Sequence, residues 1–175
     1  MKTKTINLYQ FDELSEDAKA KAIERLSDIN VDYQWWESVY EDARDVKLKL
    51  TEFDLDRNKH CKGTFIDGAH DTAALIIAKH GKNCDTYKTA QAFLSNWGEL
   101  VNKYSDGVKT DVVAEGNEYA FDGAADDLEY MSLHDLLEDY ADILQRECDY
   151  LQSEEAIIET IKANEFWFTE DGKLD

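Results

Sequence analysis

The residues that could do chemistry in this 175-residue chain are four histidines, three cysteines and a large excess of carboxylates. His70-Asp71 is the kind of pair that binds metal ions in phosphohydrolases, and His60 and His80 are further candidate ligands. A metal centre needs several such side chains to converge on one ion, and this spacing does not require it. Asp71 is better explained as a first-turn residue of a helix, where the dipole favours negative charge. We therefore predict no metal site and no cofactor.

Other recognisable spacings are incomplete. A structural zinc site uses paired ligands such as Cys-x-x-Cys, whereas the cysteines here are far apart. The run at 54–58, Asp-Leu-Asp-Arg-Asn, matches the start of a calcium loop, but Lys59 stands in place of the glycine and Phe65 in place of the final glutamate. Glycine-rich phosphate loops and Gly-x-Ser-x-Gly are absent from the sequence. We predict no catalytic residue and a protein that is not an enzyme.

The distinctive feature of the chain is its charge, which is −20 overall. Residues 1–110 hold 19 acidic and 16 basic residues, whereas residues 111–175 hold 20 acidic residues against Arg146, Lys162 and Lys173, a net charge of −17. Such asymmetry points to the kind of partner. A surface this negative repels nucleic acid and anionic membranes and attracts basic proteins.

Within the acidic region, carboxylates recur at steps of three, four and seven residues, which places them on one face of a helix. Like charges at this spacing destabilise a helix by a few tenths of a kcal/mol per pair. DNA presents phosphates about 3.4 Å apart along each strand, so regular carboxylates can occupy the Lys/Arg groove of a DNA-binding protein. A solvated face is the alternative. The predicted partner-binding residues are Asp122, Asp126, Asp127, Glu129, Asp135, Glu138, Asp139, Asp142, Glu147, Asp149, Glu154 and Glu155.

A small basic cluster, Arg57, Lys59 and Lys62, lies at the tip of a predicted hairpin. Two interpretations of it stay open. It contacts an acidic patch on a partner or on a second copy of the chain, or it keeps the edge of the hairpin soluble.

The first half of the chain predicts two strand regions and four helices. Alternation over 4–10 indicates a strand with Ile6 and Leu8 inward, and Ser15 is a typical N-cap for the helix that follows. Segments 47–56 and 61–67 predict a hairpin with a slip of register near Glu52. Further helices are predicted over 32–46, 71–80 and 86–104, with Gly81 and Gly107 at their C-terminal ends.

The acidic half predicts an irregular segment containing Gly116 and Gly123, followed by a long helix over 126–151 and a second helix from Ser153 to Ala163. The aromatic run Phe166–Phe168 predicts a last strand, which we expect to pair with the central hairpin. The fold class is therefore α+β: a small, mostly antiparallel sheet covered by helices, one of them long and acidic.

Length and composition predict one domain over 1–175, with 111–175 as its acidic sub-region. The chain has no proline and no low-complexity linker. It shows neither a signal peptide nor an apolar run long enough for a membrane span. The odd number of cysteines favours a reducing compartment. We expect a soluble protein of the cytoplasm.

Three stretches carry a resemblance to a known family. They are Tyr9–Ile23, Phe53–Arg57 together with Cys61–Gly63, and the stretch from Tyr87 to Gly107. The chain resembles small acidic proteins encoded by bacteriophages and other mobile elements, some of which carry antitoxin-like labels. The resemblance implies a bacterial host cell and no particular catalytic residue. By analogy, small acidic phage proteins include anti-CRISPR and anti-restriction inhibitors that imitate DNA.

The leading hypothesis is an inhibitor of a nucleic-acid-binding defence protein, for example a CRISPR effector nuclease. Acidic residues between Asp122 and Glu155 would occupy its DNA channel or its PAM-reading site, where arginines bind carboxylates bidentately. The alternative is an antitoxin-like or regulatory protein that neutralises a basic partner without imitating DNA. A metal-dependent enzyme is a third possibility. We expect no direct binding to nucleic acid or membrane, and the oligomeric state stays open.

Overall fold

A computed structural model describes residues 7–105 and 116–175 of the chain. It confirms the α+β class: the described residues form six α-helices and two separate two-stranded antiparallel sheets. The strands are β1 (Tyr9–Gln10), β2 (Leu48–Asp54), β3 (His60–Phe65) and β4 (Trp167–Phe168). The helices are α1 (Glu16–Arg25), α2 (Glu37–Asp45), α3 (Ala69–Lys79), α4 (Asp85–Tyr104), α5 (Glu118–Leu151) and α6 (Glu154–Ala163).

Within the single domain that the sequence predicts, the chain forms two compact units. Of the described residues, 7–36 and 145–175 form the terminal unit, and 37–105 and 116–144 form the central unit. In the part of the chain that the structure describes, no helix combines the length and the apolar character needed to cross a membrane.

The terminal unit joins the two ends of the chain through β1 and β4. Tyr9 pairs with Phe168 and Gln10 with Trp167 in antiparallel register. The expected pairing of the last strand with the central hairpin is therefore wrong. Phe168 is fully buried and its ring lies 6.2 Å from that of Phe11, so the core of this unit holds the last strand beside β1. The predicted strand began earlier, and Ile6 lies outside the described residues.

Both helices of the terminal unit begin at the serines that the sequence indicated. The Ser15 hydroxyl accepts a hydrogen bond from the Ala18 backbone N–H at 3.3 Å, and the Ser153 hydroxyl accepts one from Ala156 at the same distance. Each cap satisfies an N–H group that the first turn of a helix leaves without a partner.

The central unit contains the predicted hairpin, and the slip of register is confirmed as an irregularity between Leu50 and Glu52. One face of the hairpin lies against α5. A side chain at Gly63 would place its Cβ 2.5 Å from the Lys49 carbonyl oxygen and 3.0 Å from Leu137 on α5. Glycine is therefore required mainly by the close approach of the Lys49 carbonyl on the neighbouring strand, and Leu137 of α5 packs against the same position.

Helix α5 begins eight residues before the predicted start, and this corrects the irregular segment that the glycines suggested. Gly116 precedes the helix with a positive φ of 89°, but Gly123 lies within it. The early turns are held by aromatic contacts, because the ring of Phe121 lies about 6 Å from the rings of Trp97 and Tyr104 on α4. Such contacts outweigh the low helix propensity of one glycine, about 1 kcal/mol.

The remaining helices are close to their predicted positions. Helices α3 and α4 begin within two residues of the expected starts, and Gly81 follows the end of α3. Helix α2 is shorter than predicted, since it begins at Glu37, after the paired rings of Trp35 and Trp36. The predicted cap at Gly107 lies outside the described residues.

Candidate functional site

The predicted partner-binding residues lie on two helices. Ten of the twelve are on α5, and the other two are in the first turn of α6. Eight are exposed and four are half-buried, so the acidic sequence is not the same as the acidic surface. The exposed ones are Asp122, Asp126, Asp127, Asp135, Glu138, Asp149, Glu154 and Glu155; the half-buried ones are Glu129, Asp139, Asp142 and Glu147.

The outer face of α5, which we define as Asp127, Met131, Asp135 and Glu138, is exposed to solvent. These residues follow one another at steps of three or four, so they form one row on the helix surface. A carboxylate oxygen from each of Asp135 and Glu138 and a ring nitrogen of His134 all lie within 4.8 Å of one another. Because α5 contains no Lys or Arg before Arg146, no base within the helix interrupts this part of the row.

Asp139 has turned away from the outer face toward α4. The Thr89 hydroxyl donates a hydrogen bond of 2.7 Å to its carboxylate. Burial raises the pKa of Asp139, and the neighbouring carboxylates Asp85, Asp135 and Asp142 raise it further, against the lowering effect of that hydrogen bond. Asp139 is thus a partly buried charge that opposes folding, and it is less available to a partner than the sequence suggests.

The basic cluster on the hairpin contacts acidic residues of its own unit. Lys59 forms an ion pair with Asp142 on α5, and Lys62 forms one with Glu52 at 2.9 Å on the neighbouring strand. Lys59 therefore neutralises part of the acidic helix and links it to the hairpin. Asp142 is therefore not an unpaired member of the predicted row, and on the outer face Asp135 has the His134 ring 4.0 Å away.

A hydrogen-bonded network on the inner side fixes the position of α5. The Tyr140 hydroxyl, fully buried, donates to Asp42 on α2 at 2.9 Å. His80 lies at the end of α3, with its Nε2 atom 3.5 Å from the other Asp42 oxygen. Its Nδ1 atom is 2.8 Å from the Thr86 hydroxyl on α4. The pKa of Asp42 is lowered by the interaction with His80 first and by the Tyr140 hydroxyl second, although burial opposes this.

Sequence reasoning missed this network because its members are 98 residues apart along the chain at the widest. The order hydroxyl, imidazole, carboxylate is also that of a nucleophilic triad. Thr86 is only 1% exposed and lies in the first turn of α4, so a substrate does not reach its hydroxyl. These contacts link α2 to α5 and the end of α3 to α4, on the side of α5 opposite the exposed outer face.

A cavity of about 520 Å³ lies between the hairpin and α5. Cys61 lines it, but burial raises the pKa of this thiol to about 11, so the reactive thiolate is scarce at neutral pH. His134 and Glu138 line the other side. With Asp135 they form the one group of potential metal ligands that the described residues bring close together, and all three are exposed to competing water.

The histidines considered from the sequence are separate from that group. The ring of His70 lies 6.1 Å from that of Trp97 in an edge contact, and His80 belongs to the buried network. His60 contacts the backbone carbonyl of Asn58 at 2.7 Å through its Nδ1 atom. In the described part of the chain these three rings do not converge on one point.

The chain was also compared with known proteins. No protein-family model, no curated protein and no solved structure matches it. The resemblance to small acidic phage proteins therefore stays a prediction, and the function has to be argued from the residues themselves.

Proposed function

We propose that this protein binds a basic, nucleic-acid-binding protein through the outer face of α5 and thereby blocks the nucleic-acid site of that partner. The supporting observation is a helix with exposed carboxylates at Asp127, Asp135 and Glu138 and no Lys or Arg between Glu118 and Gln145. Unrelieved like charges weaken a helix. When these carboxylates stay exposed, their attraction to a basic partner contributes to the affinity for that partner.

The spacing of these carboxylates suits a row of basic side chains. Asp127 and Asp135 are eight residues apart, about 12 Å along the helix axis at 1.5 Å per residue. A DNA strand presents a phosphate about every 3.4 Å, so Asp127 and Asp135 correspond to every third or fourth phosphate along such a row. Arg side chains that contact phosphates or guanines also bind carboxylates bidentately. A defence nuclease whose PAM-reading site uses arginines, such as a CRISPR effector, is the proposed partner.

One observation favours the alternative, an antitoxin-like protein that neutralises a basic partner without imitating DNA. Asp139 and Asp142 are engaged with Thr89 and Lys59, so the row of unpaired carboxylates is shorter than the sequence predicts. A short acidic row with an exposed methionine inside it is a poorer copy of a phosphate strand than a continuous row. It suits a compact basic patch on a protein.

The test uses a Cas9-type nuclease loaded with guide RNA and, in parallel, a restriction endonuclease as probes. Binding is measured by fluorescence anisotropy from 50 to 500 mM NaCl, with and without target DNA as competitor. The outer-face variant D127N/D135N/E138Q is compared with E24Q/D28N/E41Q. The second variant removes the same number of negative charges, three, from exposed positions outside α5.

We expect the wild-type chain to bind and target DNA to compete. The outer-face variant should bind at least tenfold more weakly and with a shallower salt dependence, because charge pairing supplies its affinity. The control variant should bind nearly as well as wild type. Equal losses in both variants would show that only net charge matters. Binding without competition from DNA would favour the antitoxin-like alternative, and no binding to either probe would reject both nuclease classes as partners.

A further inference from the structure

A groove with an apolar floor runs between α4 and α5, beside the outer face. It consists of two adjoining cavities of about 250 and 590 Å³, which share Asn96, Leu128 and Met131. Phe93 lies in the floor of the smaller cavity and Leu100 in that of the larger. Both helices belong to the central unit, so the groove lies within one compact unit.

Two side chains of the groove lack contacts that are usual for their type: Met131 lacks apolar burial and Ser132 lacks a hydrogen-bond partner among the described residues. Met131 is 61% exposed, although the inner side of the same helix is fully buried at Leu136 and Tyr140. The Ser132 hydroxyl lines the smaller cavity, is buried, and has no hydrogen-bond partner among the described residues. Buried hydroxyls normally have a partner, and Met is the side chain that adapts best to a foreign surface. Both observations point to a ligand that completes the groove.

The charges beside the groove restrict the kind of ligand. Asp127 and Asp135 lie one turn before and one turn after Met131, and both line the groove. The lysines on the α4 side already have contacts: Lys88 pairs with Asp85 at 2.8 Å, and Lys103 lies over the ring of Tyr104. Glu99 adds a third carboxylate to the lining, so carboxylates outnumber the two lysines, and along α5 an occupant meets an apolar centre with an acidic residue on either side of it.

We propose that the groove binds an amphipathic basic helix of a partner protein. An apolar side chain of that helix packs on Leu128 and Met131, and Lys or Arg residues about one turn to each side contact Asp127 and Asp135. This rests on the proposed function, since it gives the chemistry by which the same face recognises its basic partner. It adds an apolar anchor that a phosphate strand lacks. Part of the affinity is then insensitive to salt, because burial of apolar surface is not screened.

Two synthetic 18-residue peptides of leucine and arginine test the inference. They have identical composition: one is ordered as an amphipathic helix and the other is scrambled so that no apolar face forms. Affinities are measured by isothermal titration at 50 and 500 mM NaCl for wild type, M131Q and Y130Q. Tyr130 is also well exposed and is adjacent in sequence, but it does not line the groove, so Y130Q is the matched control.

We expect wild type to prefer the amphipathic peptide at least tenfold and to keep this preference at 500 mM NaCl. M131Q should lose most of the preference, while Y130Q should keep it. Equal affinity for the two peptides, or an unchanged preference in M131Q, would overturn the groove as a helix-binding site.

Failure of the groove is distinguishable from failure of the proposed function. If D127N/D135N weakens binding to both peptides while M131Q changes nothing, the result supports binding through the acidic outer face and rejects the groove as a helix-binding site. Two measurements on the free protein give further routes to rejection. Nuclear Overhauser contacts from the Met131 methyl group to residues 106–115 would show the groove filled by its own chain. A concentration-dependent dimer that M131Q abolishes would show it filled by a second copy.

Discussion

Helix α5 is continuous, yet similar side chains differ in exposure between its two faces. They are buried or half-buried on the inner face, which packs on the core, and exposed on the outer face. Asp135 and Asp139 are both aspartates, one turn apart. Asp135 is exposed on the outer face, whereas Asp139 is half-buried and accepts a hydrogen bond from Thr89. Met131 is largely exposed, whereas Leu136 is fully buried. Residue type alone therefore does not separate the residues that hold the helix from those that are free to bind.

The difference shows how a chain with an unfavourable charge pattern folds and still displays that charge. The inner side of α5 supplies apolar burial and the hydrogen bond from Tyr140 to Asp42, and the His80 ring lies 3.5 Å from the same carboxylate. The residues of the outer face are exposed, so we expect substitutions there to change the free energy of unfolding little. Comparing substitutions on the two faces tests this division directly.

The largest expected difference is between L136A and M131A. Removing a fully buried leucine loses apolar burial and leaves a cavity, so L136A should lower the free energy of unfolding by about 2–5 kcal/mol. M131A truncates an exposed side chain and should change it by less than about 0.5 kcal/mol. Urea denaturation of both variants measures this. A loss above about 2 kcal/mol in M131A would show that the outer face is part of the core.

A smaller effect is expected for Y140F, which keeps the ring and removes the hydroxyl that donates to Asp42. Hydrogen bonds to charged groups contribute about 1.5–3 kcal/mol, and half-exposure of Asp42 favours the lower end. The folded-state pKa of Asp42 is lowered, so its contribution is present above the unfolded pKa and is lost as pH falls through the folded pKa.

The difference between wild type and Y140F should therefore shrink in acid. Denaturation curves at pH 7 and at successively lower pH measure it. A difference that stays constant as Asp42 becomes protonated would mean that the tyrosine acts through packing alone and that the network contributes nothing.

The smallest effect, of opposite sign, is expected for D139N. The folded-state pKa of Asp139 is raised, so the folded protein binds this proton more tightly than the unfolded chain does. Stability is then lost as pH rises from the unfolded toward the folded pKa, and the charged form at neutral pH opposes folding. An asparagine oxygen still accepts the Thr89 hydrogen bond, and like-charge repulsion along the helix is relieved. D139N should gain a few tenths of a kcal/mol at pH 7.

The matched control for that variant is D135N, which relieves repulsion on the exposed face without relieving burial. Its gain should be the smaller of the two, and the gain of D139N should disappear below the unfolded pKa of the aspartate. Thermal unfolding at pH 7 and pH 3 checks both statements. A larger gain in D135N would mean that burial of Asp139 costs nothing.

Local signals in the sequence were sufficient for most elements. Ser15 and Ser153 cap the helices that follow them, and the alternation broken near Glu52 gives a hairpin with an irregularity at that place. These features depend on residues a few positions apart, so a short stretch of sequence is sufficient to predict each of them. The long acidic helix is predicted for the same reason, because apolar residues such as Leu136, Tyr140 and Leu144 recur at helical spacing along it.

Contacts between distant segments decided what the sequence did not show. The start of α5 depends on Phe121 meeting Trp97 and Tyr104, and the pairing of β4 depends on Phe168 reaching Phe11. No local sequence pattern predicts these contacts, because a side chain is buried only when a second, distant segment packs against it.

For the candidate site, too, some features follow from the sequence and others only from the tertiary structure. The sequence by itself determined the excess of carboxylates in residues 111–175, the absence of an interleaved base on most of α5 and the helical spacing that puts acids in a row. Only the tertiary structure decided which of them face solvent. Thr89 binds Asp139, Lys59 binds Asp142, and α4 meets α5 so that Met131 lies open between Asp127 and Asp135. The reason is that helical periodicity fixes angles around one axis, whereas exposure depends on where the neighbouring elements lie.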